Sequence, residues 1–596
     1  MTEYHDPKNE PGAEKRLLLV FLLTFIGIAL MQYLMPKPAQ PPQPKPGTPE
    51  PQQAQTHPTP PVQATATPTP KATPRPKSKK PQSTVATTQA GSETQTVIEN
   101  DLYRVTFSNK GAVVKSWVLK KYKNDKGKEL DLINPVTAPV LGYPLSLYSY
   151  DKDLEKKLNE SLYVASATGA QSAPASVTFE YADGDTHVRK SFKFDHSSYV
   201  LGIETEVINK GGVVPAYPQW PGGFGDQTVL SSYGGTRIDW QQNDEVTRKP
   251  AQSGGFLSSK KWVIGGQTYS GPFQWVGTVD QYFAALFMPD SPNDAAVVTL
   301  HTQIDIPRNL DKPEEGGRDK APVLGVAVGN PSGITRERLF AGPKVVDVLE
   351  SVQAQPNGPT LRGILDFGFF GFISRPLFAW LKWTHQHWIP NWGWAIVFLT
   401  VVINLALLPL RISSMKSSLK MQKVQPQVKA ITEKYKRYSL TDPRRSQMQQ
   451  EMSALYKREG VNPVGGCFPL LLQMPFLFAF YSMLGNAIEL RQANWLWIHD
   501  LAAPDPVHIL PIAIIVTMFI TQKSTPQGGM DPAQQKMMQI FTPVMMGIIS
   551  WNLSSGLGIY WAISNILGWV QQLGINQTEF GRQVRKSMER RATRKR

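Results

Sequence analysis

A chain of 596 residues with one cysteine, Cys467, excludes a disulfide framework, a CxxC pair and a multi-thiolate metal site. Its net charge of +16 is concentrated: Arg411–Gly460 holds 12 Lys/Arg against 4 Asp/Glu (+8), and Asn576–Arg596 holds 8 against 2 (+6). Charge placed this way points to topology and anionic partners. Apolar runs crowded into the last third of the chain, under a slightly negative mean hydropathy, imply a soluble part and a membrane part.

Residues 1–16 read as a cytoplasmic N-terminus, and Lys15-Arg16 precede the apolar run "LLLVFLLTFIGIALMQYL". At 18 residues, Leu17–Leu34 is long enough to span a bilayer. A cleaved signal peptide is the competing reading. No small-x-small site follows, only "MPKPAQPPQPKP", so 17–35 is expected to be an uncleaved first anchor. Sixteen prolines between Pro36 and Pro81 exclude helix and sheet and make 36–95 an extended tether, at about 3.1 Å per residue where polyproline-like.

Across 96–350 the hydrophobic period becomes two. "SVTFEYADGDTHVRKSFKF" (Ser176–Phe194) predicts strand, Asp-Gly turn, strand, and "YVLGIETEVIN" (Tyr199–Asn209) continues the alternation. Many short strands with Gly, Asn and Pro between them predict an antiparallel β-sandwich. No HExxH, GxSxG or phosphate-cradling Gly-Lys loop appears, and "DFG" at Asp366–Gly368 lacks every other kinase element. The expectation is a structural or docking domain, with sugar or peptide binding in a sandwich cleft as the alternative.

Residues 361–388, "ILDFGFFGFISRPLFAWLKWTHQHW" at their centre, interleave aromatics with cations and histidines, as an interfacial amphipathic helix does. His385 and His387 have no carboxylate or third histidine beside them and read as polar tips, not metal ligands. Five further spans are expected at 389–411, 463–485, 507–523, 536–552 and 557–573. Most are shorter than the roughly 20 apolar residues that a 30 Å core requires, and Pro409, Pro475, Pro511 and Pro543 lie in or near four of them. Short, broken spans imply a locally thinned bilayer or restraint by neighbours. Between them, 412–462 reads as a cytoplasmic helical hairpin, 486–506 as an outside loop with one cation, Arg491, 524–535 as a cytoplasmic loop, and 574–596 as a basic cytoplasmic tail. The alternative for 412–462 is a solvated connector.

On a continuous helix Thr400, Asn404 and Arg411 fall within about 40° of one another, giving the second span a polar face. Gln473 and Tyr481 in the third span lie roughly 80° apart by the same arithmetic. Trp561, Ser564, Asn565 and Gln572 share a side of the sixth. Such faces point into a bundle or a wet cavity. Taken singly, Asn404 reads equally as an interhelical hydrogen bond, and Arg411 as a snorkelling anchor. The five later spans contain no Asp or Glu to relay protons, the chain has no nucleotide-binding loop, and no inverted repeat is apparent, so powered transport is disfavoured.

"NPVGGCFPLLLQMPFLFAFYSML" (Asn462–Leu484), "ELRQANWLWIHDL" (Glu489–Leu501), "DPAQQKMMQIFTPV" (Asp531–Val544) and "SSGLGIYWAISNILGWVQQ" (Ser554–Gln572) resemble the YidC family of membrane protein insertases. The long chain with an N-terminal anchor and a β domain resembles the Gram-negative form. That resemblance implies a polytopic α-helical inner-membrane protein of six spans, five of them the family core, with an all-β periplasmic supersandwich and both termini cytoplasmic. It implies a non-enzymatic, cofactor-free insertase and chaperone for nascent membrane proteins, working alone or beside the Sec translocon, with no small-molecule substrate. Its hydrophilic groove, open to cytoplasm and lipid, would be lined by Thr400, Asn404, Arg411, Gln473, Tyr481, Tyr560, Trp561 and Ser564. Ribosomes and targeting factors would dock on the hairpin and the basic tail, and anionic lipids are further expected partners.

Two departures stand out. The family usually has an arginine five residues before its Pro-Leu pair, where this chain has Asn404 before Pro409-Leu410. Arg411 lies seven residues on, about 10 Å nearer the cytoplasm, and is expected to substitute in part by reaching back. Trp561 replaces the second tyrosine of the family's pair after Tyr560, keeping a large ring and losing a hydroxyl. A ligand-binding sandwich tethered to a structural bundle remains the alternative reading.

Overall fold

The computed structural model describes residues 87–228, 230–253, 261–308, 313–435, 442–461, 468–524 and 532–579, together with Tyr438 and Arg582. The expected N-terminus and first anchor, the tether as far as residue 86, the start of the third-span motif (462–467), the stretch 525–531, and the basic tail from 580 (Arg582 apart) lie outside the described residues.

The expected hairpin is found as strands Ala175–Asp183 and Thr186–Phe194, paired from Ala175 with Phe194 to Asp183 with Thr186. Gly184 at its tip takes a φ of 58°, a left-handed conformation with no Cβ penalty for glycine. Along Thr186–Phe194 alternate side chains, among them Val188, Lys190, Phe192 and Phe194, turn inward, as period two requires. The hairpin belongs to a ten-stranded sheet. From edge to edge it runs Glu245–Pro250, Arg237–Gln242, Trp275–Val279, Phe283–Pro289, Ile334–Pro343, Val200–Asn209, Thr186–Phe194, Ala175–Asp183 and Val164–Ala165, with Gly212–Val213 paired beside Val200–Asn209.

Two five-stranded sheets pack on this wide one. The first runs Glu129–Asp131, Val113–Lys123, Tyr103–Ser108, Gln95–Glu99 and Gly169–Ser172, antiparallel except for the last pair. Its Phe107 ring lies 4.9 Å from Phe192 and 5.7 Å from Phe179 of the wide sheet. The second runs Thr268–Ser270, Ala296–Pro307, Arg318–Gly329, Tyr217–Trp220 and Leu147–Tyr148. Trp117 and Trp220, 6.1 Å apart and fully buried, join the two narrower sheets. Each such aromatic contributes about 1.5–3 kcal/mol by leaving water.

From Gly371 onward the described residues are mainly helical: α1 Gly371–His387, α2 Trp392–Ala406, α3 Leu408–Tyr435, α4 Arg444–Glu459, α5 Phe468–Asn486, α6 Ile509–Ser524, α7 Pro532–Ser550 and α8 Ser555–Gln577. Helix α6 packs on α7 and α8, α8 on α2 and α5, and α1 on α5 and α2. Helices α3 and α4 pack on each other through Met421, Val424, Val428 and Leu455, joined by Val461 just past the end of α4.

The second expected span is not one straight helix. α2 and α3 meet at 56° across Leu407. Pro409 has no N–H to give to the Leu405 carbonyl, and its ring crowds that turn, which breaks the ladder. No single helix among the described residues is long and apolar enough to cross a membrane, whereas α2 with the start of α3 passes that test as a bent pair. Outward faces of α6 and α7 are apolar: Ile512, Val516, Met537, Phe541 and Ile548 are all exposed.

Candidate functional site

Inside this apolar bundle runs a polar seam. Thr400, in the middle of α2, is fully buried and donates its hydroxyl to Ile396 O at 2.7 Å. One turn on, buried Asn404 donates from Nδ2 to Thr400 O (2.8 Å) and to Ser564 Oγ of α8 (3.3 Å). Its Oδ1 is buried without a partner among the described residues. An unmatched buried acceptor costs about 1–3 kcal/mol, so this position is set up to receive a donor.

Beyond the bend, Arg411 crosses between helices. Nη2 donates to Gln473 Oε1 of α5 at 3.2 Å, and Nη1 to Gln571 Oε1 of α8 at 3.3 Å. The side chain reaches this position over Gly568, where an added Cβ would stand 3.4 Å from Nη1. The residue is 7 % exposed, and no carboxylate among the described residues pairs with it. Two neutral amide oxygens engage two of the five guanidinium donors, which leaves capacity for an anion.

The bend means that Thr400, Asn404 and Arg411 do not share one helix face in the simple sense that 100° per residue implies. α2 presents Thr400 and Asn404 to α8, and α3 sends Arg411 between α5 and α8. Tyr560 is buried and stacked on Phe480 with ring centres 4.0 Å apart. Tyr481, half-buried, packs against the core beside it. Trp561, Ser564 and Gln572 are buried on α8, and Asn565 is half-buried with Nδ2 unpartnered among the described residues. Sequence arithmetic selected Gln572, whereas Gln571 holds Arg411; Phe480 and Gln571 carry no signal of their own without the packing.

The end of the bundle away from Arg411 is closed. Asp505, buried in the loop before α6, accepts from Trp497 Nε1 (3.0 Å) and from Leu510 N (2.7 Å). The N–H groups of Ser555 and Gly556 donate to Ala503 O and Leu501 O, tying α8 to the same loop. Trp495 packs so tightly on α2 that a Cβ on Gly393 would stand 2.2 Å from its ring.

A wide β domain and a helical unit with apolar outer faces, a buried polar seam and one closed end define a membrane-associated protein of two parts. Comparison with known proteins gives the same division. The family described as "60Kd inner membrane protein" matches residues 383–582, and that described as "YidC periplasmic domain" matches residues 95–380. The chain is 31% identical over 530 residues to the membrane protein insertase YidC of Ralstonia nicotianae, covering 84% of this chain and 86% of that protein. It is 33% identical over 493 residues to that of Geobacter sulfurreducens, covering 80% and 85%. A crystal structure of an active YidC insertase with its first transmembrane domain resolved covers 83% of this chain and 94% of its own, at 18% identity and a TM-score of 0.34. The chain belongs to the YidC family of membrane protein insertases, a non-enzymatic family of the inner membrane.

Proposed function

We propose that this protein inserts and folds nascent inner-membrane proteins through a hydrophilic groove formed by α2, α3, α5 and α8, open to cytoplasm and lipid. One observation carries the reading: a buried seam, Thr400–Asn404–Ser564 and Arg411–Gln473–Gln571, inside an apolar bundle closed at the other end. A polar segment entering such a seam trades water for ready-made hydrogen-bond partners, which lowers the cost of moving part-way across. Its apolar neighbour then leaves sideways into lipid. Asn404 offers an unpaired acceptor to backbone or side-chain donors, and Arg411 offers free donors to an acidic residue.

The same reading gives a multi-pass arrangement of six spans. The β domain is periplasmic, both termini are cytoplasmic, and the α3–α4 hairpin is cytoplasmic. The excess of cations in 411–460, against one cation in 486–506, supports that orientation. Ribosomes, targeting factors and anionic lipids are the partners its charge favours, and the Sec translocon is the partner expected of the family. A ligand-binding β domain has one observation in its favour, a cleft of about 720 Å³ lined in part by Asp195, Asp290, Arg338 and Glu350.

Photo-crosslinkers at Asn404 and, on the opposite side of α2, at Val402 separate the readings. With ribosome-stalled chains exposing one short membrane segment, adducts are expected at Asn404 and not at Val402. Equal or absent adducts overturn the groove as the substrate path.

A further inference from the structure

One hairpin of the β domain, strands Val113–Lys123 and Glu129–Asp131, turns its tip towards the closed end of the helical unit. Tyr122 faces inward there, its ring 5.8 Å from Phe283 of the wide sheet. Two residues before Phe283, Gln281 donates from Nε2 to Gly485 O near the end of α5, at 2.7 Å. In the loop beyond α5, Arg491 donates from Nη1 to Lys123 O at 3.0 Å. Gln492 donates from Nε2 to Lys123 O (3.1 Å) and Asn124 O (3.3 Å). The helical unit thus holds this tip by its backbone carbonyls, and the side chains of Lys121, Lys123 and Lys128 stay exposed.

The tip carries like charge in a small space. Lys120–Lys128 holds 5 Lys against 1 Asp, a surplus of +4. The nearby acids are already engaged. Asp125 Oδ1 lies 3.8 Å from Arg491 Nη2, Glu129 Oε2 accepts from Arg104 Nη2 at 2.9 Å, and Glu99 pairs with Lys120 at 2.7 Å. Clustered cations repel one another, and an anionic surface opposite them relieves that cost. The same end of the bundle marks where such a surface lies. Trp388, Trp394, Leu496 and Val507 are all exposed around it. The Trp394 and Trp495 rings lie 5.5 Å apart, and Asn391 donates from Nδ2 to Asn494 O at 3.0 Å, so these residues share one level. Exposed tryptophans at the end of a bundle sit at the headgroup layer. From Arg491 to Trp495 the chain spans at most about 14 Å, and an anionic surface acts over a further 8 Å or so at physiological salt.

We propose that the Lys121–Lys128 tip is a docking surface for the anionic phospholipid headgroups of the outer leaflet, a second footing for the β domain beside the Arg491–Gln492 loop.

The proposal rests on the six-span orientation given above, which puts the closed end of the bundle at that leaflet. It concerns a face opposite to the cations of 411–460, which meet the cytoplasmic side. Lysine suits the task, because an ammonium is a mobile point charge that asks no fixed geometry of a fluid layer of phosphate diesters. The contact is electrostatic, so it strengthens with the share of anionic lipid and weakens with salt.

The test uses the full, unmutated chain in nanodiscs of phosphatidylcholine alone and of phosphatidylcholine mixed with phosphatidylglycerol. Amine-reactive labelling read by mass spectrometry reports each lysine. Labelling of Lys121, Lys123 and Lys128 should fall by about fivefold in the anionic discs and recover at high salt. Lys210 is the internal control. It is exposed past the end of strand Val200–Asn209 that points away from Phe283, and its labelling should be the same in both discs. Equal labelling of the tip in the two discs, or a difference that salt leaves untouched, overturns the contact. A bimane label at Leu496→Cys, with Cys467→Ser, checks the orientation separately through quenching by spin-labelled lipid. An unquenched label overturns the orientation and the proposal with it. A quenched label beside unprotected lysines overturns the lipid contact alone.

Discussion

At the scale of single residues, the groove reading turns on where this chain keeps its cation. Arg411 is buried against two glutamine oxygens, with no anion of its own among the described residues. A carboxylate on an incoming segment completes it with a charge-assisted hydrogen bond, typically about 1.5–3 kcal/mol. Arg411→Gln is therefore expected to slow insertion of substrates with acidic translocated tails by roughly tenfold to a hundredfold and to spare neutral tails. Protease protection in reconstituted vesicles measures both. Lys190, far from the seam, makes a contrasting use of charge. It is fully buried and donates to the carbonyls of Gly111 (3.0 Å), Ala112 (2.7 Å) and Leu145 (2.5 Å), pinning two loops to the wide sheet. Lys190→Met leaves three carbonyls unmatched and should cost about 3 kcal/mol or more, read as a lower melting temperature of the full chain. Asn404 and Arg411 were legible because polar residues in apolar runs are costly. Gln571 was not, because adjacent glutamines cannot be ranked until the crossing of α8 over α3 is known.

At the scale of elements, alternation in Ser176–Phe194 and a Gly-centred turn were enough to place a hairpin, since both signals are local. The order of strands across the wide sheet was not legible. Strand Ile334–Pro343 pairs with Val200–Asn209, more than a hundred residues away, and no local signal encodes that partner. Pro409 announced a break in the second span, yet its direction comes from tertiary packing of α3 on α4 and α5. Gly393 shows the reverse case, a residue without chemistry whose reason is contact. Replacing it by leucine drives a side chain into Trp495 and should destabilise the α2–loop contact by about 1–3 kcal/mol. Thermal unfolding should show this, with faster proteolysis after Arg491.

At the scale of the molecule, composition already separated two parts, and the apolar runs located the helices. It could not show that the β domain leans on the end of α5, because hydrogen bonds such as Gln281 to Gly485 join residues 204 apart in the chain. Charge is likewise organised by region. If the α3–α4 hairpin meets ribosomal RNA, affinity should fall steeply with salt, and neutralising exposed Lys416, Lys420 and Lys429 should reduce the slope of log K against log salt by roughly one per cation. A ribosome sedimentation series over salt checks this, and an unchanged slope places the contact elsewhere.

The shortness of these helices also bears on how the protein itself is made. α6 has 16 residues, about 24 Å of rise, and an added Cβ on Gly547 of α7 would stand 2.2 Å from Ile515 of α6. On the proposed six-span arrangement, a helix too short to be retained in lipid by its own hydrophobicity is retained by its partner, so α6 and α7 should become stable only as a pair. Substitutions in that contact, such as Gly547→Val, would then appear as scarcity: fewer molecules escaping quality control during synthesis, each survivor working at the normal rate.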